Sequence, residues 1–292
     1  MLVKGFVHQS KNCFGFSVSL GSRFGETFVF LYLRILMLSQ PELKDYLDAQ
    51  YKRYNSSFFI ETDPIQIPHS FTNKEDIAIS GFFAATLAWG QRPTIIKNSK
   101  RLMELMDEAP HDFILNHTKK DRERFTGFVH RTFNSDDCKY YLYALQQLYK
   151  KYDGLEGSFK HVHNNKNDLS ETLHQWRKLF LSFKSETRQG KHLGDPLKNS
   201  TAKRLLMYLR WMVRKDQSGI DFGLWKAIKP SELYIPIDIH SARSARILGL
   251  LTRTQNDWKA VNELTENLRK IDAKDPVKYD FALYGSSVNK AI

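Results

Sequence analysis

One carboxylate stands where a fixed acid group could work on a bound partner. In Pro236-Ile237-Asp238-Ile239-His240 the proline keeps the preceding backbone extended, and Asp238 has the short acceptor side chain that caps free N–H groups. A helix is therefore expected from Ile239 to about Gly249, with Asp238 projecting from its rigid first turn. Arg243 and Arg246 follow on that helix, so the acid sits beside cations that suit an anionic partner. The competing reading of Asp238 is a helix cap and nothing more. A second chemical candidate is Lys203, at the start of Ala202–Arg214, where Lys203, Met207, Arg210 and Arg214 share one face. Opposite them run Leu205, Leu206, Leu209, Met212 and Val213, which should be buried.

Composition narrows the partner. The chain of 292 residues has 44 Lys and Arg against 32 Asp and Glu, a net charge of +12, which favours a polyanion. Cys13 and Cys138 are the only cysteines and lie far apart, which excludes a cysteine-built zinc site and a four-cysteine iron–sulfur cluster. No metal or other cofactor is expected, and a reduced cytoplasmic setting fits the cysteine usage. The apolar run Phe28–Leu36 is too short to span a bilayer and contains Arg34, and charge alone does not choose between nucleic acid and an acidic membrane surface. Residues 1–36 form an atypical extension, and a natural start at Met37 is the simplest account of it.

The elements that must position these residues are helical almost throughout. Leu43, Leu47, Tyr51 and Tyr54 repeat at helix spacing after Ser39 and Pro41. Thr72-Asn73-Lys74-Glu75 has the form of a capping box and opens a segment to Trp89 that is apolar nearly all round, hence central. After Gly90-Gln91-Arg92-Pro93 a third helix carries Ile96, Ser99, Met103 and Met106 on one face. Others start at Ser135, with the stripe Tyr141, Leu145, Leu148 and Tyr152, and around Leu173, Trp176, Phe180 and Phe183. Trp258, Val261, Leu264 and Leu268 mark a further helix, and Asp275-Pro276 opens the last. Phe58-Phe59-Ile60 is the one stretch with a strand-like character. The expected fold class is all-α.

Two stretches of the chain resemble the helix-hairpin-helix superfamily of DNA glycosylases, the fold of endonuclease III and the oxoguanine glycosylases. Ile237-Asp238-Ile239-His240 through Leu248-Gly249-Leu250 is similar to that family's Val-Asp-Thr-His segment and its helix. Phe82–Gln91 is similar to its buried helix ending in a polar turn. The chain also looks like a bacterial family catalogued as domain of unknown function 2400, on segments such as Leu209–Arg214 and Asp221–Trp225. The glycosylase resemblance implies a two-lobed helical unit over residues 37–292. Residues 72–185 would form a barrel-like lobe, and residues 37–71 with 186–292 a second lobe carrying the hairpin and Asp238. It implies removal of a damaged base from duplex DNA by a monomer, with DNA and no membrane as the expected partner and Asp238 as the essential carboxylate. Lys203, or Lys198 as the alternate, would be the Schiff-base amine of a bifunctional enzyme with lyase activity. Gln91 and Arg92 would contact DNA, with Lys198, Arg210, Arg214, His240, Arg243 and Arg246 as further contacts. Trp89, Trp211 and Trp225 are candidates to hold the extruded base, against a core role for each. The family's hairpin is a tight Gly-x-Gly turn, whereas His192–Lys203 has one glycine, and Gln217–Leu233 would have to loop out between Lys203 and Asp238. The alternative function is a DNA-binding module of the same fold without the reaction, and a third is a scaffold for acidic proteins.

Overall fold

The computed structural model describes residues 39–163, 168–183 and 188–289. The extension 1–36, its displaced start and Cys13 lie outside the described residues. The described chain is mostly helical, and its one sheet is a two-stranded hairpin, Val129–His130 with Phe133–Asn134.

Helix α1, Gln40–Tyr54, begins as its sequence requires: Ser39 caps it reciprocally with Glu42, whose carboxylate accepts from the Ser39 N–H at 2.8 Å. Helix α2 is Phe58–Thr62, which corrects the strand reading of Phe58-Phe59-Ile60. A run of two phenylalanines and an isoleucine cannot show a strand by period, and among the described residues no partner strand stands beside it. A short turn of helix, α3, spans Gln66–His69. Helix α4, Lys74–Leu87, is capped by Asn73, whose side chain accepts from Glu75 N, and every residue from Ile77 to Leu87 is buried. An all-round apolar helix needs neighbours on every side, and α4 has α3, the Lys203–Val213 helix, α5 (Arg92–Leu105) and α6 (Pro110–Asn116) packed against it.

Helix α7, Ser135–Tyr152, is capped by Asn134, one residue before the expected start, and ends at Asp153 in the left-handed region. Next come α8, Gly154–Val162, and α9, Leu169–Leu181, which buries Leu173, Trp176 and Phe180 as its period requires. Two 3-10 turns, Gln189–His192 and Pro196–Lys198, then lead into α10, Lys203–Val213. The segment after α10 does not loop out. Phe222 N and Trp225 N donate back to Trp211 O and Met212 O, and Ile220, Trp225, Ile228, Leu233, Ile235 and Ile237 are buried. From Arg214 to Ile237 the chain thus runs back along the core as an irregular strap, with Lys215, Gln217 and Lys226 exposed and Leu233–Ile237 buried.

Helix α11, Ile239–Ile247, follows Asp238; α12 is Trp258–Ile271 and α13 is Tyr279–Val288. The last helix closes the molecule by packing on α1 and α11. At the crossing with α1 the ring of Tyr54 lies where a Cβ on Gly285 would be, with Cγ and Cδ2 each 2.3 Å from that position. Only glycine allows so close an approach. One contiguous core runs from Leu47 to Leu283.

Candidate functional site

Asp238 starts from its cap. Its backbone is extended (φ −122°, ψ −172°), its Oδ1 accepts from Ser241 N at 2.8 Å, and Ser241 Oγ accepts from Asp238 N at 2.9 Å. These two bonds close a capping box and hold the carboxylate still. The other oxygen, Oδ2, receives Lys203 Nζ at 3.1 Å. Lys203 comes from the first turn of α10, 35 residues earlier, and the strap brings the two together. Burial would raise the Asp238 pKa, but the Lys203 ammonium and the Ser241 N–H more than offset it and hold the carboxyl below its usual range. The acid is therefore ionised and aimed.

Lys203, Met207 and Arg210 sit at i, i+4 and i+7 on α10, so one stripe faces a cavity of about 210 Å³. Asp238 and His240 enter from α11 and its cap, Arg92 from the start of α5, Asp63 from the end of α2, and Asp280 with Tyr284 from one face of α13. Two further acid–base pairs build the wall. Asp63 Oδ2 accepts from Arg92 Nη2 at 3.3 Å, and Asp280 Oδ2 is in close contact with Arg210 Nη1, whose Nε also reaches Asp221 at 3.3 Å. Burial pushes Asp280 up to about 6 despite Arg210, with Asp238 adding to the rise, and it raises Asp63 as well despite Arg92. Arg92 stacks over the Tyr284 ring at 5.0 Å, and the His240 ring meets that ring edge-on at 5.7 Å. The cavity thus carries three carboxylates in unlike surroundings, one held ionised by an amine and two pushed towards the protonated form.

A second cavity, of about 490 Å³, adjoins the first, and Ala88 and Lys203 line both. Its wall includes Trp89, Lys191, Gly194, Ser200, Thr201 and Arg204 and no acidic side chain. It opens onto the N-terminus of α10, where Ala202 is left-handed (φ 47°) and offers no side-chain cap. The polypeptide before it is tightly tied: Arg177 donates to Leu193 O and Gly190 O, His174 pairs with Asp195 at 2.9 Å, and His192 Nε2 with Asp137 at 2.9 Å. The irregular hairpin is therefore held by side chains where a Gly-x-Gly turn would hold itself.

The comparison with known proteins can now be set beside this geometry. The family model described as protein of unknown function, DUF2400, matches residues 63–289, from Asp63 in the cavity wall to the end of α13. The chain belongs to the DUF2400 family. No curated protein and no solved structure matches it. The matched span of this DUF2400 chain includes every residue named above as lining the first cavity, yet α1 and α2 precede it.

The placement of the remaining candidates is mixed. Gln91 is the exposed N-cap residue of α5, without a side-chain bond to the helix, and Arg92 is committed to Asp63. Trp89 is 43 % exposed, with Arg131 stacked on it at 4.5 Å. Lys198, His240 and Arg243 are exposed. Arg246 is tied to the carbonyls of Arg253 and Thr254 and to Asn256. Four expectations need correcting. Arg214 is 1 % exposed, bound to Asp216, Asp221 and Asp275 as well as Tyr51, so it faces no phosphate. Arg210 is 3 % exposed and neutralised by Asp221 and Asp280, so it is part of the cavity wall and is not free for a phosphate. Trp211 and Trp225 are core residues, at 0 % and 1 % exposed, and neither borders either cavity. The apolar stripe of α10 extends further round than its strict period implies, which swallows Trp211 and the strap residue Trp225 alike.

Sequence reasoning did not single out Asp63, Asp280 or Tyr284. Asp280 and Tyr284 are four residues apart on a helix, a signal for a shared face, but the 3-10 turn Pro276–Lys278 hides where that helix begins. Among the described residues no helix is long and apolar enough to cross a membrane, and no group of three or more His, Cys, Asp or Glu could hold a metal ion.

Proposed function

We propose that this chain is a DNA glycosylase of helix-hairpin-helix type, in which duplex DNA lies across a cleft between two helical lobes and an extruded damaged base enters the cavity beside Lys203 and Asp238. The observation that carries the reading is the 3.1 Å Lys203–Asp238 pair facing a cavity next to the Gly90–Arg92 turn. A cap-only aspartate needs neither a lysine partner nor a cavity.

The chemistry follows from the charges. As the bond from sugar C1′ to the base nitrogen breaks, its electron pair leaves with the base and positive charge develops on the sugar, which the fixed Asp238 carboxylate stabilises. Lys203 passes one ammonium proton to the departing base nitrogen and attacks C1′ as the free amine; the C1′–O4′ bond then breaks, O4′ takes a proton from the new C–N nitrogen, and the resulting Schiff base permits strand cleavage. With water as the nucleophile, Asp238 takes its proton and the enzyme releases the base without cutting the strand. The larger cavity, cationic and without carboxylates, suits the phosphate backbone beside the extruded nucleotide. Extrusion costs a few kcal/mol of unstacking, which a preformed pocket offsets.

Borohydride trapping on duplexes bearing an abasic site or a damaged base tests the lysine role. A covalent adduct lost in Lys203→Ala, with duplex binding retained, is the expected result. An adduct that persists in Lys203→Ala and vanishes in Lys198→Ala would move the role to Lys198. The same fold acting as a binding module without the reaction requires that Asp238→Asn leave every activity intact.

A further inference from the structure

Asp280 differs from the other two carboxylates in the small cavity. Both oxygens of Asp238 are occupied, by Ser241 and Lys203, and both of Asp63, by Ile65 N and Arg92. Asp280 uses Oδ2 for Arg210, and its Oδ1 accepts no hydrogen bond from any described residue. Tyr284, one helical turn further along α13, likewise has a hydroxyl without a hydrogen-bond partner among the described residues. The cavity wall thus has two unspent polar groups on one helix face, and apolar Phe59, Ile95 and Met207 elsewhere. At about 210 Å³ it is smaller than the roughly 300 Å³ at which pockets for drug-sized ligands begin, so it suits a single base.

We propose that Asp280 selects the base, its unspent Oδ1 accepting hydrogen bonds from a pair of adjacent N–H donors, which makes guanine-type purine lesions the substrate class. This inference rests on the glycosylase reading. A carboxylate has only acceptors when ionised, as Asp280 is above about 6. It pairs with the N1–H and exocyclic amine that stand side by side on a guanine edge. Thymine- and uracil-derived bases present carbonyl oxygens on both sides of a lone N–H, and each carbonyl repels the carboxylate. Adenine and cytosine edges place a ring-nitrogen acceptor beside the amine and meet the same repulsion. Arg210 fixes the orientation of the carboxylate from behind, and Tyr284 offers a hydroxyl to the rest of the ring. Asp280 acts on selection; Asp238 and Lys203 keep the bond-breaking role.

The test is single-turnover base release from duplexes carrying 8-oxoguanine, 7-methylguanine, hypoxanthine, uracil or thymine glycol, alongside binding of a duplex with a stable abasic analogue. Release of the two guanine-edge lesions, slower release of hypoxanthine, which lacks the amine, and still less from the two carbonyl-flanked bases is the expected order. Asp280→Asn, of the same shape, should narrow the gap between the guanine and pyrimidine lesions by roughly tenfold to a hundredfold, the discrimination a paired edge supplies. Its affinity for the abasic duplex should stay unchanged, which also shows that the variant is folded. If Asp280→Asn fails to fold, the wild-type order decides alone. Uracil or thymine glycol released as fast as the guanine lesions overturns the role of Asp280 and leaves the glycosylase reading standing. Release of no base at all overturns both.

Discussion

Asp238 caps α11 and, in the proposed reaction, stabilises the charged sugar, and substitution can separate the two. Asparagine caps a helix as well as aspartate does, whereas alanine costs about 1 kcal/mol at such a position. Asp238→Ala should therefore melt about 3 °C below Asp238→Asn in thermal unfolding, the shift expected of that loss in a chain of this size. Both variants lose the ion pair with Lys203 equally, so the difference reports the cap alone. Asp280 adds a pH signature. It faces Arg210, Asp238, Lys203, Asp63 and Asp221, and burial lifts it to about 6. An acid raised in the folded state favours folding while protonated, so its contribution is full below about 4, its unfolded value, and is lost as pH rises through about 6. Denaturant unfolding should show Asp280→Asn gaining stability relative to the wild type between pH 4.5 and 7.5; a constant difference would contradict the assignment. At this scale the sequence announced Asp238 through Pro236 and its own short acceptor side chain. It could not announce Asp280, because a carboxylate gains its role there from burial and from Arg210, 70 residues away.

The hairpin before α10 is the element on which both cavities turn. A Cβ added at Gly194 would lie 2.7 Å from Ala202 Cα and from Ser200 Oγ, so the turn closes only because that atom is missing. Gly194→Ala should push Ala202 and the first turn of α10 outward, costing roughly 1–3 kcal/mol as overpacked sites do. Duplex affinity should fall beyond that, since Lys203 and Arg204 move with the turn; a variant of unchanged stability and affinity would contradict this view of the hairpin. Helices with strong caps and stripes, α1, α4, α7, α9 and α12, were legible from sequence because Ser39, Asn73 and the periodic apolar residues are local signals. Helix α2 and the strap from Arg214 to Ile237 were not. Their conformation is set by what they pack against, with Phe59 meeting Phe281 at 5.1 Å and Trp225 meeting Phe159 at 5.4 Å.

Across the whole molecule the ends of the chain build the wall of the site. Asp48 Oδ1 accepts from Tyr279 Oη at 3.0 Å and pairs with Lys278 at 3.2 Å, Tyr51 Oη accepts from Arg214 at 2.6 Å, and Tyr54 packs over Gly285. Helix α1 thus seats the helix that carries Asp280 and Tyr284, although it precedes the span matched by the family. Removing residues 1–62 should cost on the order of several kcal/mol, since Leu47 alone is a fully buried leucine of the kind whose truncation costs about 2–5 kcal/mol. Circular dichroism melts of that truncation should show a markedly lower or lost transition, and an unchanged one would contradict the role given to α1. The all-α class was plain in the sequence, while the buried network of Arg210 and Arg214 was not: arginines on a helix face look alike whether they meet solvent, phosphate or aspartates from distant segments. The central claim concerns the Asp238 carboxylate as the group proposed to stabilise the charged sugar, and single-turnover base release by the wild type and Asp238→Asn over a panel of damaged duplexes tests it most directly. The account expects at least one lesion to be released by the wild type and the rate to fall by roughly 10²–10³ in Asp238→Asn, the loss that follows removal of one electrostatic group from a preorganised site, with fold and duplex binding kept; release at equal rates by both proteins, or from no lesion by either, would contradict it.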